Sequence, residues 1–129
     1  MQIQLLIAVL IGGGIGSVFR YSLCLLFNRL TPPFPLGILI SNVIAGIICG
    51  FIVAYQKETN FLSPKMALFL TTGMMGGLST FSTFSVDTVL LLKDTKYFLA
   101  GTNIIANLAL SLLGALLGIF LAHRIHSMG

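Results

Sequence analysis

The sequence predicts an all-α membrane protein with four transmembrane helices. Of its 129 residues, 57% are hydrophobic and only 8% are charged, whereas a soluble domain carries about 25% charged residues. A helix needs about 20 apolar residues to cross the hydrocarbon layer. The chain divides into four such segments, at residues 3–27, 36–55, 65–92 and 97–122. Because the connections are too short for a second domain, residues 1–129 are predicted to form one transmembrane domain.

The connecting segments predict where the helices begin and end. Residues 30–37 hold three of the four prolines, and this density of proline cannot continue a helix. Ser63 followed by Pro64 is typical of a capped helix start, and residues 93–96 predict a short turn before the fourth helix. The first segment has neither a basic leader nor a small-residue cleavage motif, so we expect a retained helix rather than a signal peptide.

The third helix is predicted to be interrupted at mid-membrane depth. Residues 71–85 contain three glycines and seven hydroxyl side chains inside an otherwise apolar segment. Such a composition should break or loosen a helix. Non-helical backbone within a membrane is tolerated only where protein buries it or where it lines a water-filled cavity. The segment is therefore a candidate binding or permeation element.

The charge distribution leaves the orientation in the membrane undecided. With four spans, three basic residues fall on each side, and Arg20 lies within the first helix. Orientation normally follows an excess of Lys and Arg on the cytoplasmic side. A balanced chain can insert both ways round, which permits an antiparallel homodimer, unless Arg20 or the amino terminus decides the orientation. The residues counted are Lys57, Lys65 and Arg124 on one side and Arg29, Lys93 and Lys96 on the other.

Pairs of glycines four residues apart occur in every predicted helix. Small residues at this spacing let helix backbones approach closely in lipid. We therefore expect a tightly packed bundle, although the pattern does not distinguish contacts within one protomer from contacts between protomers. Four short helices do not easily enclose an aqueous path, which also favours an oligomer. The pairs are Gly12 and Gly16, Gly46 and Gly50, Gly73 and Gly77, and Gly114 and Gly118.

Uncharged polar residues mark a candidate pathway. Asn42 lies in the second helix, and Asn103, Asn107 and Ser111 recur every four residues on one face of the fourth. A single buried residue of this kind is about as often a structural hydrogen-bonding group between helices as part of a pathway. A row of them facing an interrupted helix favours a pathway. The first, second and fourth predicted helices contain no acidic residue, which disfavours a carboxylate-based cation or proton site. Arg20 near a membrane edge would add positive potential, so a small anion is favoured.

Phe81 and Phe84 share one face of the third helix. Most helical aromatic residues belong to a hydrophobic core. However, an aromatic ring has a positive edge, and two rings beside hydroxyl donors can face an anion without a fixed charge. Distributed contacts of this kind suit conduction, which requires binding that is also easily released.

The remaining composition favours a lipid environment over other partners. The net charge is +4, but the basic residues are spread over all connections and are typical of headgroup contacts rather than of nucleic-acid binding. Cys24 and Cys49 lie in different apolar segments. No CxxC motif and no histidine cluster accompanies them, so both are expected to be packing residues rather than a disulfide or metal site.

Three segments together resemble the Fluc/CrcB family of fluoride channels: GGGIGSVFRY at residues 12–21, NVIAG at 42–46 and TGMMGGLSTFSTFS at 72–85. The resemblance extends to chain length and to the number and order of spans. It implies a dual-topology homodimer in a prokaryotic plasma (inner) membrane. Two parallel pores at the dimer interface would export cytoplasmic fluoride passively, so the chain is not expected to be an enzyme.

The resemblance also implies roles for individual residues. Phe81, Phe84 and Asn42 would line the fluoride path, with Ser82, Thr83 and Ser111 as hydroxyl positions along it. Arg20 would lie in the vestibule. The backbone carbonyls of Gly76 and Ser79 would hold a structural sodium ion at the dimer centre. The sequence departs from the family at Ala115 and Ile38, where some members carry polar residues.

Two other functions are compatible with four short helices. A small dual-topology proton-coupled antiporter would also have balanced charges, but that class needs an acidic residue in its first helix, and this chain has none there. A structural subunit that only packs would leave the row of buried hydrogen-bond donors without a purpose. The sequence therefore favours the channel.

Overall fold

The computed structural model describes residues 1–129 and consists of helices and their connections, without strands. Four helical segments are long and apolar enough to cross a membrane, which confirms the all-α membrane fold. The first two are α1 (Gln2–Phe27) and α2 (Leu36–Thr59), and the last is α6 (Tyr97–Met128). The third span, Pro64–Lys93, contains α3 (Pro64–Leu68), a π-helical segment (Phe69–Met75), α4 (Gly76–Leu78) and α5 (Phe81–Lys93).

The observed helix starts agree with those predicted from the sequence, whereas two helices end later than predicted. As predicted, α2 begins directly after Pro35, and the Ser63 hydroxyl caps α3 by accepting the Met66 N–H at 3.3 Å. However, α2 continues past residue 55 to Thr59, and Asn60 after it takes the left-handed conformation (φ 49°) that often closes a helix. Because α2 thereby includes Glu58, the expectation of an acid-free second helix is wrong.

The fourth span is also longer than predicted, since α6 continues past residue 122. The added residues include His123, Arg124 and His126. Hydropathy marks the apolar part of a helix, whereas helical hydrogen bonding can continue through polar residues outside it. The predicted limits therefore followed the hydrocarbon region rather than the helix.

The most extensive contacts join α2 to α6 and α1 to the first half of the third span. The second half, α5, packs on α6 instead, and α1 contacts α2 but not α6. Glycines make both contacts close. A Cβ on Gly16 would overlap the carbonyl oxygen of Met74, and one on Gly118 would overlap that of Ile47. All four glycine pairs face a backbone of the same chain. The sequence left this question open, and the structure assigns these contacts to the protomer.

Helical geometry stops within the third span and then resumes. Ser79 (φ −79°, ψ 151°) and Thr80 (φ −153°, ψ 127°) are extended, and α5 begins at Phe81 with Thr80 as its N-cap. In a continuous helix the Thr80 N–H would donate to the carbonyl of Gly76. Here it donates to the Asn42 side chain instead, at 2.8 Å. The side chain of α2 thus replaces one helical hydrogen bond of the third span.

Most large apolar side chains lie on the outside of the molecule. The small core cluster contains Ala45, Met75 and Leu78. Exposed large apolar side chains occur on all four spans and are most numerous on α1 and α6. A surface this apolar fits a hydrocarbon surrounding or another copy of the chain rather than water.

Candidate functional site

A cavity of about 460 Å³ lies where α2, α6 and the third span meet. It is bordered by 15 residues, and none of them is charged. Its polar side chains come from all three spans, and the two phenylalanines stand on one of its walls. The polar members are Asn42, Thr71, Ser79, Thr80, Asn107 and Ser111.

The Asn42 side chain holds the extended backbone at Thr80 from both sides. Its Oδ1 accepts the Thr80 N–H at 2.8 Å, and its Nδ2 donates to the Thr80 carbonyl at 3.3 Å. The same Nδ2 also donates to Asn107 Oδ1 at 2.9 Å. Asn42 therefore satisfies backbone groups that the interruption removes from the helix.

The two phenylalanines border the cavity together but differ in exposure. Their ring centroids are 5.4 Å apart, with 52° between the ring planes. Phe84 is 7% exposed and packs inside the protomer, whereas Phe81 is 72% exposed. Because the ring planes are tilted, the two rings point in different directions. A group in the cavity can therefore contact the edge of one ring and the flat side of the other.

Ser111 carries the free hydroxyl of this cavity. Its Oγ is buried and has no hydrogen-bond partner. The hydroxyls of Ser79 and Thr71 instead donate to their own helix, to the carbonyls of Met75 and Ala67. A buried polar group without a partner is uncommon and needs an explanation. A hydroxyl that serves a transient ligand would be one.

Three other residues expected at the site, Ser82, Thr83 and Arg20, do not border the cavity. Ser82 is exposed, and its hydroxyl lies 3.2 Å from that of Thr80. Thr83 donates its N–H to Thr80 Oγ1 at 3.3 Å, as part of the α5 cap. Arg20 lies on α1, does not border the cavity and forms no ion pair with Asp87 or any other acid. The roles expected of these three residues stay predictions.

Gly76, the first residue of α4, and Ser79, which directly follows its last residue, both border the cavity. The last carbonyls of a helix have no helical partner, and the Thr80 N–H that would serve Gly76 is taken by Asn42. Carbonyl oxygens at the end of a broken helix suit an alkali cation. No group of three or more His, Cys, Asp or Glu side chains suits a transition metal in this chain. The ligands available for the expected sodium ion are therefore backbone carbonyls, and its binding stays a prediction.

Two features of the site were missed in the sequence. Thr80 is the N-cap of α5, a function that its position before a new apolar run at Phe81 could have signalled. Thr88 on α5 bonds to Asn103 on the next helix, α6, a contact that helical spacing within one helix does not reveal. The row of Asn103, Asn107 and Ser111 was identified, but Asn103 does not reach the cavity.

A second cavity of about 600 Å³ runs between α2 and α6 and shares Gly46 and Cys49 with the first. At its far end His123 Nδ1 pairs with Glu58 Oε1, while Glu58 Oε2 is buried without a partner. Lys57 borders the same end. Charged groups thus occur outside the first cavity, towards the end of the α2–α6 pair.

Comparison with known proteins identifies the family. The model of the CrcB-like protein, Camphor Resistance (CrcB) family matches residues 7–119, which include every residue that borders the first cavity. The chain belongs to the CrcB-like family. The resemblance found in the sequence is thereby confirmed.

Several CrcB relatives carry the name fluoride-specific ion channel FluC. The relative from Serratia proteamaculans is 44% identical over 90% of this chain and 91% of its own. The relative from Paraburkholderia phymatum is 46% identical over 88% of this chain and 90% of its own. One from Escherichia coli O1:K1 is 43% identical over 93% of this chain and 95% of its own. With its four apolar helices, this CrcB-like chain is a multi-pass integral protein of the bacterial inner membrane.

Proposed function

We propose that this chain is a fluoride-selective ion channel, not an enzyme, and that it lets cytoplasmic fluoride leave the cell passively. The observation that carries the proposal is the composition of the first cavity. Neutral polar side chains and two phenylalanine rings border it, and no fixed charge does. Relatives that are 43–46% identical are named for this activity.

The cavity chemistry suits a small, strongly hydrated anion. A hydroxyl donor such as Ser111 and the positive ring edges of Phe81 and Phe84 can replace part of its hydration shell. Because none of these contacts is a full charge, each one is weak, and an ion can pass from one to the next.

The complete channel is proposed to be an antiparallel homodimer with two pores at its interface. Three basic residues on each side of the membrane leave no strong orientation signal. Phe81 is 72% exposed in the single chain although it borders the cavity. A second copy would cover this ring and close the open side of the cavity. The interrupted third helix would then lie at mid-membrane depth, enclosed by protein as such backbone must be.

Liposome efflux tests the channel directly. Purified protein is reconstituted into vesicles loaded with potassium fluoride, and valinomycin balances the charge. We expect rapid fluoride release without an imposed proton gradient, and little release from matched vesicles loaded with potassium chloride. Release of both halides at equal rates would contradict fluoride selectivity, and no release from protein shown to be folded would contradict the channel.

The same assay separates the channel from a proton-coupled antiporter. The second cavity, with its Glu58–His123 pair, offers titratable groups to such a mechanism. However, α1 contains no acidic residue, and the first cavity contains no carboxylate. Fluoride release that stops when the proton gradient is clamped would favour the antiporter.

A structural sodium ion is proposed at the dimer centre, held by the carbonyls of Gly76 and Ser79 from both copies. When bound, it would supply a fixed positive charge that holds the two interrupted helices together. Its test is the melting temperature of the detergent-solubilised dimer in sodium against N-methylglucamine buffer. We expect a higher melting temperature in sodium, and equal values after exhaustive dialysis would contradict the site.

A further inference from the structure

One continuous chain of hydrogen bonds connects the interruption in the third span to the buried side of α5. Each side-chain amide in it donates to the next group, and the bonds between side chains are all 2.9 Å long. It starts at the Thr80 N–H and ends at the Phe84 carbonyl. The groups in order are Thr80 N–H, Asn42, Asn107, Asn103, Thr88 and Phe84 C=O.

The direction of this relay is fixed where it meets the backbone. The Thr80 N–H can only donate, so the oxygen of the Asn42 amide must face it. The backbone carbonyl of Asn103 can only accept a hydrogen bond, and Asn107 Nδ2 donates to it at 3.0 Å. Asn42 therefore presents its nitrogen, and Asn107 its oxygen, where the two amides meet.

The far end of the relay is buried beyond the cavity. Asn103 Nδ2 donates to Thr88 Oγ1, whose own hydrogen goes to the Phe84 carbonyl at 2.8 Å. Asn103 is 0% and Thr88 7% exposed. Turning over one amide would set donor against donor and acceptor against acceptor at its neighbours. Because a buried unmatched polar group is costly, the amides are held as one set.

This arrangement uses every hydrogen-bonding group of Asn42 inside the protein. Its nitrogen donates to Asn107 and to the Thr80 carbonyl, and its oxygen accepts the Thr80 N–H. Asn42 thus has no free N–H for an ion in the cavity, whereas the Ser111 hydroxyl has no partner. Asn42 holds the chain in place, and the free donor of the cavity lies on α6.

We propose that Asn103 and Thr88 are positioning residues of the site: through Asn107 they fix the amide of Asn42, and thereby the backbone conformation at Thr80. The inference rests on the channel function proposed above. Neither residue borders the cavity, so an effect on the ion would reach it through Asn107 and Asn42, or through Phe84, whose carbonyl accepts the Thr88 hydroxyl. A purely structural tie between α5 and α6 would contribute to stability alone.

Thr88→Val and Thr88→Ser are the matched test. Valine keeps the shape but removes the hydroxyl, so Asn103 Nδ2 loses its acceptor, whereas serine keeps it. In liposomes, with flux normalised to folded protein, we expect Thr88→Val to lower fluoride flux about fivefold or more and to reduce discrimination against chloride. Thr88→Ser should behave as the unmodified protein. Equal flux and selectivity in both variants, beside a conducting unmodified protein, would overturn the inference.

A second readout does not depend on conduction. In asparagine-labelled protein, the side-chain ¹⁵N–¹H signals of Asn42 should shift in Thr88→Val but not in Thr88→Ser, although residue 88 does not bond to Asn42. Unchanged Asn42 signals in Thr88→Val would also overturn the relay. If the unmodified protein failed to conduct while these signals shifted as expected, the proposed function would be wrong and the relay would stand.

Discussion

Ser111 and Glu58 are the two residues whose buried side-chain oxygens lack a hydrogen-bond partner. Ser111 faces the uncharged cavity, and Glu58 lies at the end of the second cavity beside His123. An unsatisfied group is expected to cost stability unless it serves another purpose. In Ser111 the purpose we propose is to donate to the passing anion.

Ser111→Ala should therefore change stability and flux in opposite directions. Removing an unpartnered buried hydroxyl should raise the free energy of unfolding by up to about 1 kcal/mol. The melting temperature should therefore stay equal or rise slightly. Fluoride flux should fall, because the cavity loses its free donor. Flux in liposomes and thermal melting in detergent are the measurements. An alanine variant that conducts at the unmodified rate would exclude Ser111 from the ion path.

Phe81→Ile and Phe84→Ile should each reduce fluoride flux about two- to tenfold, since a ring-edge contact contributes roughly 0.5–1.5 kcal/mol. Isoleucine keeps an apolar side chain but has no ring edge. Phe98→Ile is the matched control, because Phe98 is 84% exposed at the start of α6 and does not border the cavity. The proposed dimer should elute unchanged from a sizing column in all three variants. Undiminished flux in both cavity variants would refute the ring-edge mechanism.

At the scale of the helices, glycine positions decide the packing. Gly118 faces the backbone of Ile47, while Gly101 on the same helix has no atom near its missing Cβ. Gly118→Ala should lower the free energy of unfolding by roughly 1–3 kcal/mol, as overpacking does, whereas Gly101→Ala should be neutral or stabilising. Thermal melting of the two variants in detergent is the measurement. Equal melting temperatures would show that α2 and α6 can separate at no cost.

The sequence specified the helices better than the way they meet. Hydropathy identified the four spans, and Ser63 with Pro64 marked the start of α3. The sequence could not show that Gly12 and Gly73 pack against each other within one protomer. The spacing of glycines predicts a close helix contact but does not identify the helix that is contacted. The glycine- and hydroxyl-rich composition of residues 71–85 predicted a loosened helix, but it could not show that a π-helical segment occupies Phe69–Met75 or that α1 packs against it.

The candidate site was predictable in its residue types and less so in its connections. Asn42, Phe81, Phe84 and Ser111 were named, and all four border one cavity. That Asn42 bonds to Thr80 requires α2 and the third span to be placed in three dimensions. The two residues are 38 positions apart in the sequence, so no local pattern predicts this hydrogen bond.

At the scale of the whole molecule, balanced charge is the basis of the proposed antiparallel dimer. Phe61→Lys with Met128→Lys adds two lysines on one side, at exposed positions near the second connection and the carboxyl terminus. Leu30→Lys with Tyr97→Lys adds two on the other. Each double variant should insert in one orientation and lose fluoride-resistance activity in cells when expressed alone.

Co-expression of the two double variants should restore activity, because each would supply one orientation of the pair. Expression levels from membrane fractions serve as the control. A double variant that protects cells alone, with its termini shown to lie on one side only, would refute antiparallel assembly.

Cys49 borders both cavities, whereas Cys24 borders neither. The protein therefore carries a native attachment point for thiol chemistry at the junction of its two internal spaces. Replacing Cys24 by serine would leave this single handle. A solvatochromic dye on it would report local hydration. In the proposed homodimer, spin labels on the two copies of Cys49 would report the distance between them.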